Sequence, residues 1–174
     1  MARIGLIYGS DTGSTKRVAK TIKALFDDET MSQPIDAGRA TAEEVLAYDY
    51  LIVGTPTVGV GEIPADWEDL MGRLDGADFS GRTVAVFGLG DQWGFSDSFV
   101  DAIGEIAEFF AERGAKVVGQ WPTDGYEFEA SQAVRNGHFA GLALDEDNQP
   151  DKSAERIGAW LGRIAGEFGI AAPH

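Results

Sequence analysis

The chain has 174 residues, 44% of them hydrophobic, with 29 acidic against 14 basic side chains and a formal net charge of -15. That length fits one domain, taken here as 1–170, with a core that needs no staples; the charge argues against nucleic acid or an anionic membrane surface as partner. There is no cysteine, which excludes disulfides, thiolate-held clusters and thiol catalysis; no apolar run nears the roughly 20 residues of a membrane span, and a strand pattern begins within three residues of the start, so a cytoplasmic monomer without a leader is expected.

Arg3 to Tyr8 reads as a buried strand and Lys16 to Phe26 as an amphipathic helix. Met31 to Ile35, broken by Pro34, suits an edge strand. Thr41 and Glu44 have capping-box spacing and open a short helix. Tyr50 to Gly54 is a strand buried on both faces, and Thr55 to Pro64 a shaped loop. Ala65 to Leu74 is a helix with Trp67, Leu70, Met71 and Leu74 on one side. Thr83 to Phe87 is a further strand, and Gly88 to Phe95 its loop. The next helix is expected to start at Ser96 or Asp97 and to stop at Gly114. Ala115 to Gln120 is a fifth strand, Trp121 to Gly137 an insertion with short strands of its own, and Phe139 to Leu144 the completion of that fifth strand. After the acidic turn Asp145 to Pro150, Ser153 to Phe168 closes the chain as a helix with an Ile157, Trp160, Leu161, Ile164, Phe168 stripe.

Strands alternating with helices give an α/β fold, a parallel sheet with helices on both faces. Five strands fit the order 2-1-3-4-5, in which ligands bind beyond the carboxyl ends of the strands, beside the switch point between strands one and three. The loops after strands one, three and four meet there.

The first of those loops is Ser10-Asp11-Thr12-Gly13-Ser14-Thr15. It brings four hydroxyls and free backbone N–H groups to a helix start, where the dipole favours an anion, and Gly13 lets the chain turn tightly. It reads as a phosphate cradle; the plainer reading is an ordinary N-cap, which needs only one hydroxyl. There is no Gly-Lys-Ser/Thr, and Gly9 and Gly13 lack dinucleotide spacing. Neutral donors suit one terminal phosphate, as on a mononucleotide.

This loop resembles the T/S-x-T-G-x-T phosphate loop of flavodoxins, which bind FMN. Thr55-Pro56-Thr57 resembles the start of their second flavin loop, and Gly88-Leu89-Gly90-Asp91-Gln92 the third. Trp121 to Tyr126 and Gly141 to Gln149 resemble the long-chain subgroup, whose fifth strand is interrupted by an insertion. Phe26 to Ser32 and Gly54 to Thr57 look most like flavodoxins of nitrogen-fixing bacteria. The resemblance implies a three-layer α/β/α sandwich. It implies a phosphate held by Ser10, Asp11, Thr12, Gly13, Ser14 and Thr15, with Asp11 pointing outward. The remaining FMN contacts would come from Thr55, Pro56, Thr57, Val58 and Gly59, from Gly88, Leu89, Gly90, Asp91, Phe95 and Asp97, and from Asp147. Thr57 and Asp147 would lie near the ribityl chain, Asp91 at the pyrimidine edge, and Phe95 on the outer flavin face, where many members have tyrosine. Val58 stands where many long-chain members have a tryptophan over the inner face; Trp93 is either a substitute cover or an exposed loop aromatic.

So identified, the chain is expected to be an electron-transfer protein rather than an enzyme, without a metal. It would be a low-potential carrier working on the FMN semiquinone/hydroquinone couple. Gly59 would let the Val58–Gly59 peptide turn its carbonyl toward the flavin. Carboxylates at Glu62, Asp66, Asp91, Asp97 and Asp147 would oppose the second electron. The partners implied are proteins with basic docking patches: the nitrogenase iron protein as acceptor, and a flavodoxin reductase or oxidoreductase as donor. Three alternatives stand beside this. One is a general ferredoxin-replacing carrier. Another is an FMN-dependent NAD(P)H quinone reductase, for which no substrate platform is evident. The third is a phospho-receiver domain, which would need an aspartate where Gly54-Thr55 ends strand three.

Overall fold

The computed structural model describes residues 2–9 and 13–173. Its main sheet is built from β1 (Ile4–Tyr8), β2 (Ile35–Asp36), β3 (Tyr50–Pro56), β4 (Thr83–Leu89), β5 (Lys116–Val118) and β9 (Leu142–Leu144). All its pairings are parallel, in the order β2-β1-β3-β4-β5, with β9 also on β4.

Side chains alternate across the sheet, so each strand feeds two cores. In β4, Val84 and Val86 enter one core and Ala85, Phe87 and Leu89 the other. The first core is closed by α3 (Ala65–Arg73) and α4 (Asp101–Glu112), through Trp67, Leu70, Ile103, Ile106 and Phe110. The second is closed by α1 (Ser14–Lys23) and α5 (Ser153–Phe168), through Val18, Ile22, Ile157, Trp160, Leu161, Ile164 and Phe168. This is the three-layer α/β/α sandwich. The short helix α2 (Ala42–Leu46) begins with the expected capping box, Thr41 and Glu44 bonding each other reciprocally.

The fifth strand is in two pieces. Thr83–Ala85 of β4 pair with β5, and Phe87–Leu89 pair with β9. Between them, β6 (Trp121–Pro122), β7 (Val134–Arg135) and β8 (His138–Phe139) form a small antiparallel sheet. Gly141 marks the return to β4: a Cβ there would come within 2.1 Å of the Val86 carbonyl oxygen.

Three expectations are corrected in detail. The strand expected over Met31 to Ile35 is reduced to a single bridge, Met31 to Ile4, followed by Ile35–Asp36, because Pro34 interrupts the ladder. Phe139 belongs to the small sheet, so only Leu142–Leu144 complete the fifth strand. Helix α4 starts at Asp101, not at Ser96 or Asp97. The Ser96 carbonyl is taken by the N–H groups of Glu129 and Ala130, and Val100 sits in the left-handed region at φ 47, so the chain cannot run helically through these residues. The insertion competes for the backbone groups that a helix would have used.

Candidate functional site

The carboxyl ends of β1, β3, β4 and β9 open onto a cavity of about 380 Å³. Ser14, Pro56, Thr57, Val58, Gly59, Leu89, Gly90, Asp91, Phe95, Glu146 and Asp147 line it. Parallel strands release their loops at one edge of the sheet, which is what brings together residues more than 130 positions apart.

On one side stands the start of α1. Gly13 is its N-cap at φ 95, a left-handed conformation that strains other residues. The first turn has no acidic side chain; Lys16 and Arg17 follow, both exposed, and Arg17 donates to the Ser14 hydroxyl at 2.9 Å. First-turn N–H groups and the helix dipole are the groups that would suit an anion here. The expected contacts Ser10, Asp11 and Thr12 lie outside the described residues.

The wall after β3 is a tight hairpin. Val58 and Glu62 exchange both backbone hydrogen bonds, at 2.8 and 2.9 Å, across a loop in which Gly59 (φ 51) and Gly61 (φ 80) take left-handed conformations. Thr57 is anchored by its N–H to the Leu89 carbonyl at 2.9 Å. Its hydroxyl Oγ1 is buried and has no hydrogen-bond partner. A hydroxyl left in that condition costs about 1–3 kcal/mol, so its presence in a cavity wall points to a polar ligand.

The far end is acidic. Asp91 accepts from the N–H groups of Trp93 (3.1 Å) and Gly94 (2.7 Å) and from Asn148 Nδ2 (2.7 Å). The Gly94 N–H above all holds its carboxyl below the usual range, with Asn148 and Trp93 adding to this against partial burial. Burial pushes the Asp147 carboxyl up, and the charges of Asp91 and Asp145 push the same way. Val58, Leu89 and Phe95 add apolar surface to the lining.

Five expected residues among those described do not line the cavity, the first being Gly13, the N-cap of α1. Thr15 is buried in the first turn of α1. Thr55 is buried, its hydroxyl bonded to the Pro56 carbonyl at 2.8 Å. Gly88 lies within β4 against Ile103, and Asp97 is exposed on the segment before α4. Trp93, 62% exposed, is absent from the lining and stands as an exposed loop aromatic, while Val58 does line the cavity. Glu146 was not singled out from the sequence; its place after an apolar strand-like run was the available signal. Of the expected field-setting carboxylates, Asp91 and Asp147 face this cavity and Asp66 sits against Gly9.

Glu62 lines instead a second cavity of about 310 Å³, with Glu68, Asp101, Glu105 and Arg135. Burial pushes the Asp101 carboxyl up, the Gln132 N–H opposes this, and Asp97 adds repulsion. A carboxyl raised on folding contributes stability below its unfolded value, near 3.9, and loses it as pH rises through the folded one. Asp101→Asn retains an acceptor for the Gln132 N–H. It is therefore expected to match the wild type in urea midpoint at pH 3 and to exceed it at pH 7; equal midpoints at both would contradict this.

Among the described residues no group of His, Cys, Asp and Glu could hold a metal ion, and none of their helices is long and apolar enough to cross a membrane. A doubly wound sheet with a helix start and a cavity at its switch point has the architecture of mononucleotide-binding α/β proteins. The family model "Flavodoxin" matches residues 6–160. A flavodoxin of Synechococcus elongatus is 48% identical over 170 residues, covering 98% of this chain and 100% of the relative. A flavodoxin of Klebsiella pneumoniae is 41% identical over 172 residues, covering 94% and 97%. The crystal structure of Fusobacterium nucleatum flavodoxin bound to flavin mononucleotide superposes with a TM-score of 0.90 at 36% identity, covering 97% of this chain and 99% of that one. The chain belongs to the flavodoxin family.

Proposed function

We propose that this protein is a one-electron carrier that binds FMN in the 380 Å³ cavity and is not itself an enzyme. The observation that carries the fit is the unpartnered, buried hydroxyl of Thr57, a residue of the cavity wall that also carries Ser14 of the α1 start and the carboxylates of Asp91, Glu146 and Asp147. FMN supplies one-electron redox chemistry at its isoalloxazine ring. The chain supplies the rest. The Ser10 to Thr15 stretch would hold the phosphate, Thr57 and Asp147 the ribityl chain, and Asp91 an N–H at the pyrimidine edge. Val58 and Phe95 would exclude water from the ring faces. A ligand-loaded site flanked by ionised Asp91 resists added negative charge, which favours a low potential.

Turning the Val58 carbonyl toward the flavin N5 position would mean giving up its bond from the Glu62 N–H (2.9 Å), and Gly59, already left-handed at φ 51, would permit that turn. Gly59→Ala is expected to cost about 1 kcal/mol or more in apoprotein stability. Urea unfolding of the apoprotein checks this; an unchanged midpoint would show that a side chain is tolerated at φ 51 without strain. The general test is a titration: apoprotein takes up one FMN per chain and turns yellow. A colourless protein that binds no FMN overturns the proposal. Slow steady-state NADPH–quinone turnover separates the carrier from a quinone reductase.

The charge of -15 supports partners with basic docking patches, whose association slows with salt. We further propose the nitrogenase iron protein as acceptor and a flavodoxin reductase or oxidoreductase as donor. Support for the acceptor comes from the Phe26 to Ser32 and Gly54 to Thr57 segments, which resemble flavodoxins of nitrogen-fixing bacteria. Reduced protein should then sustain acetylene reduction by purified nitrogenase components; failure with FMN binding intact leaves the general carrier alone.

A further inference from the structure

Asp145, directly after β9, is completely buried. It takes part in none of the ion pairs found among the described residues; N–H donors surround it instead. Its Oδ2 accepts from the Gln92 N–H (3.0 Å), from Gln92 Nε2 (2.8 Å) and from Asn148 Nδ2 (2.9 Å). Its Oδ1 accepts from the N–H groups of Asp147 (3.1 Å) and Asn148 (3.0 Å). A buried carboxylate is costly unless its lone pairs are filled in this way.

The bonds on Oδ1 are local and would suffice for a turn. Those on Oδ2 reach further. Gln92 is 53 positions away, and its Oε1 accepts the Glu127 N–H of the insertion at 2.5 Å. Asn148 Nδ2 donates at once to Asp145 and to Asp91, 57 positions from Asn148. The loop after β4, the turn after β9 and the insertion therefore share one anion, although Asp145 is not part of the cavity wall.

We propose that Asp145 is the positioning residue of the cavity's acidic end, holding Asp91 and the Asp147 backbone at a fixed spacing for the ligand. No ion pair among the described residues offsets this fully buried carboxylate, which stands close to the cavity-lining carboxylates of Asp91, Glu146 and Asp147. The inference rests on the FMN reading for the ligand's identity, but not for the rigidity it predicts.

Two variants test it. Asp145→Asn keeps the shape, but its amide turns donors toward the donors of Gln92 and Asn148. Asn148→Ala removes the strut between Asp91 and Asp145 and keeps the Asp145 charge. Amide exchange of the apoprotein should quicken about tenfold at Gln92, Glu127, Asp147 and Asn148 in Asp145→Asn, and at Trp93 and Gly94 in both variants, with β1 and β3 unchanged. Riboflavin, which lacks the phosphate, should bind about tenfold more weakly to both variants. Inorganic phosphate should bind as before, because the α1 start is two or more strand spacings away, about 10 Å. In the FMN-loaded protein, Asp145→Asn alone should shift the potentials positive, since it alone removes a charge. Unchanged exchange and riboflavin affinity in Asn148→Ala would overturn the proposal, even if Asp145→Asn failed to fold. Wild-type protein that took up neither flavin would sink the FMN reading, and the exchange measurements would still decide this one.

Discussion

Trp67→Ala is expected to cost about 3–5 kcal/mol of stability, lowering the melting temperature by roughly 6–20 °C in a chain of this length. Trp67 is fully buried and packs edge-to-face on Phe110. Its indole N–H donates to the Gly54 carbonyl at 2.9 Å. That carbonyl also accepts the Gly9 N–H at 2.8 Å, so the alanine variant loses packing without orphaning the acceptor. The site should loosen along with the fold. The indole lies so close to Gly9 that a Cβ there would come within 2.3 Å of its Cδ1, and Gly9 leads directly into the expected phosphate stretch. FMN affinity should therefore fall too, whereas Trp67→Phe should retain most of both. Thermal melts of the apoprotein check the first effect; an alanine variant within about 1 kcal/mol of wild type would show that α3 does not brace this edge.

Thr57→Val should act in opposite directions on the empty and the loaded protein. Valine matches the shape of threonine and leaves the Thr57 N–H bond to Leu89 in place. Without ligand the buried hydroxyl has no partner, so removing it should stabilise the apoprotein by about 1 kcal/mol. With ligand the hydroxyl gains a partner, so FMN affinity should drop about tenfold. Urea unfolding of the apoprotein and flavin titration read the two separately. Unchanged FMN affinity would mean that the hydroxyl does not face the cofactor.

Much of the site was legible because the groups that mark it are local. The Ser10 to Thr15 loop with Gly13 and the glycines of the Thr55 to Pro64 loop announce themselves within a few residues, and the switch-point rule places their strands side by side; Asp91, Phe95 and Asp147 came only through the family resemblance. Capping at Thr41 was readable for the same reason: both halves of the box lie three positions apart. The start of α4 was misplaced because Ser96 carries a helix-start signal while its carbonyl bonds residues 33 and 34 positions further on. Trp93 and Val58 show the same limit, since an aromatic in a loop does not declare which way it points.

Period and punctuation in the chain were enough to set the order of strands and helices, the two-faced burial of the sheet and the edge at which its loops converge, because backbone geometry imposes those repeats residue by residue. Asp145 marks where that reach ended. Within Asp145 to Pro150 it looks like one more solvated acid of a turn. Its burial depends on donors from Gln92, 53 positions away, and on a side chain shared with Asp91. A carboxylate leaves water only when enough N–H groups converge on it, and that convergence exists only after the chain has folded.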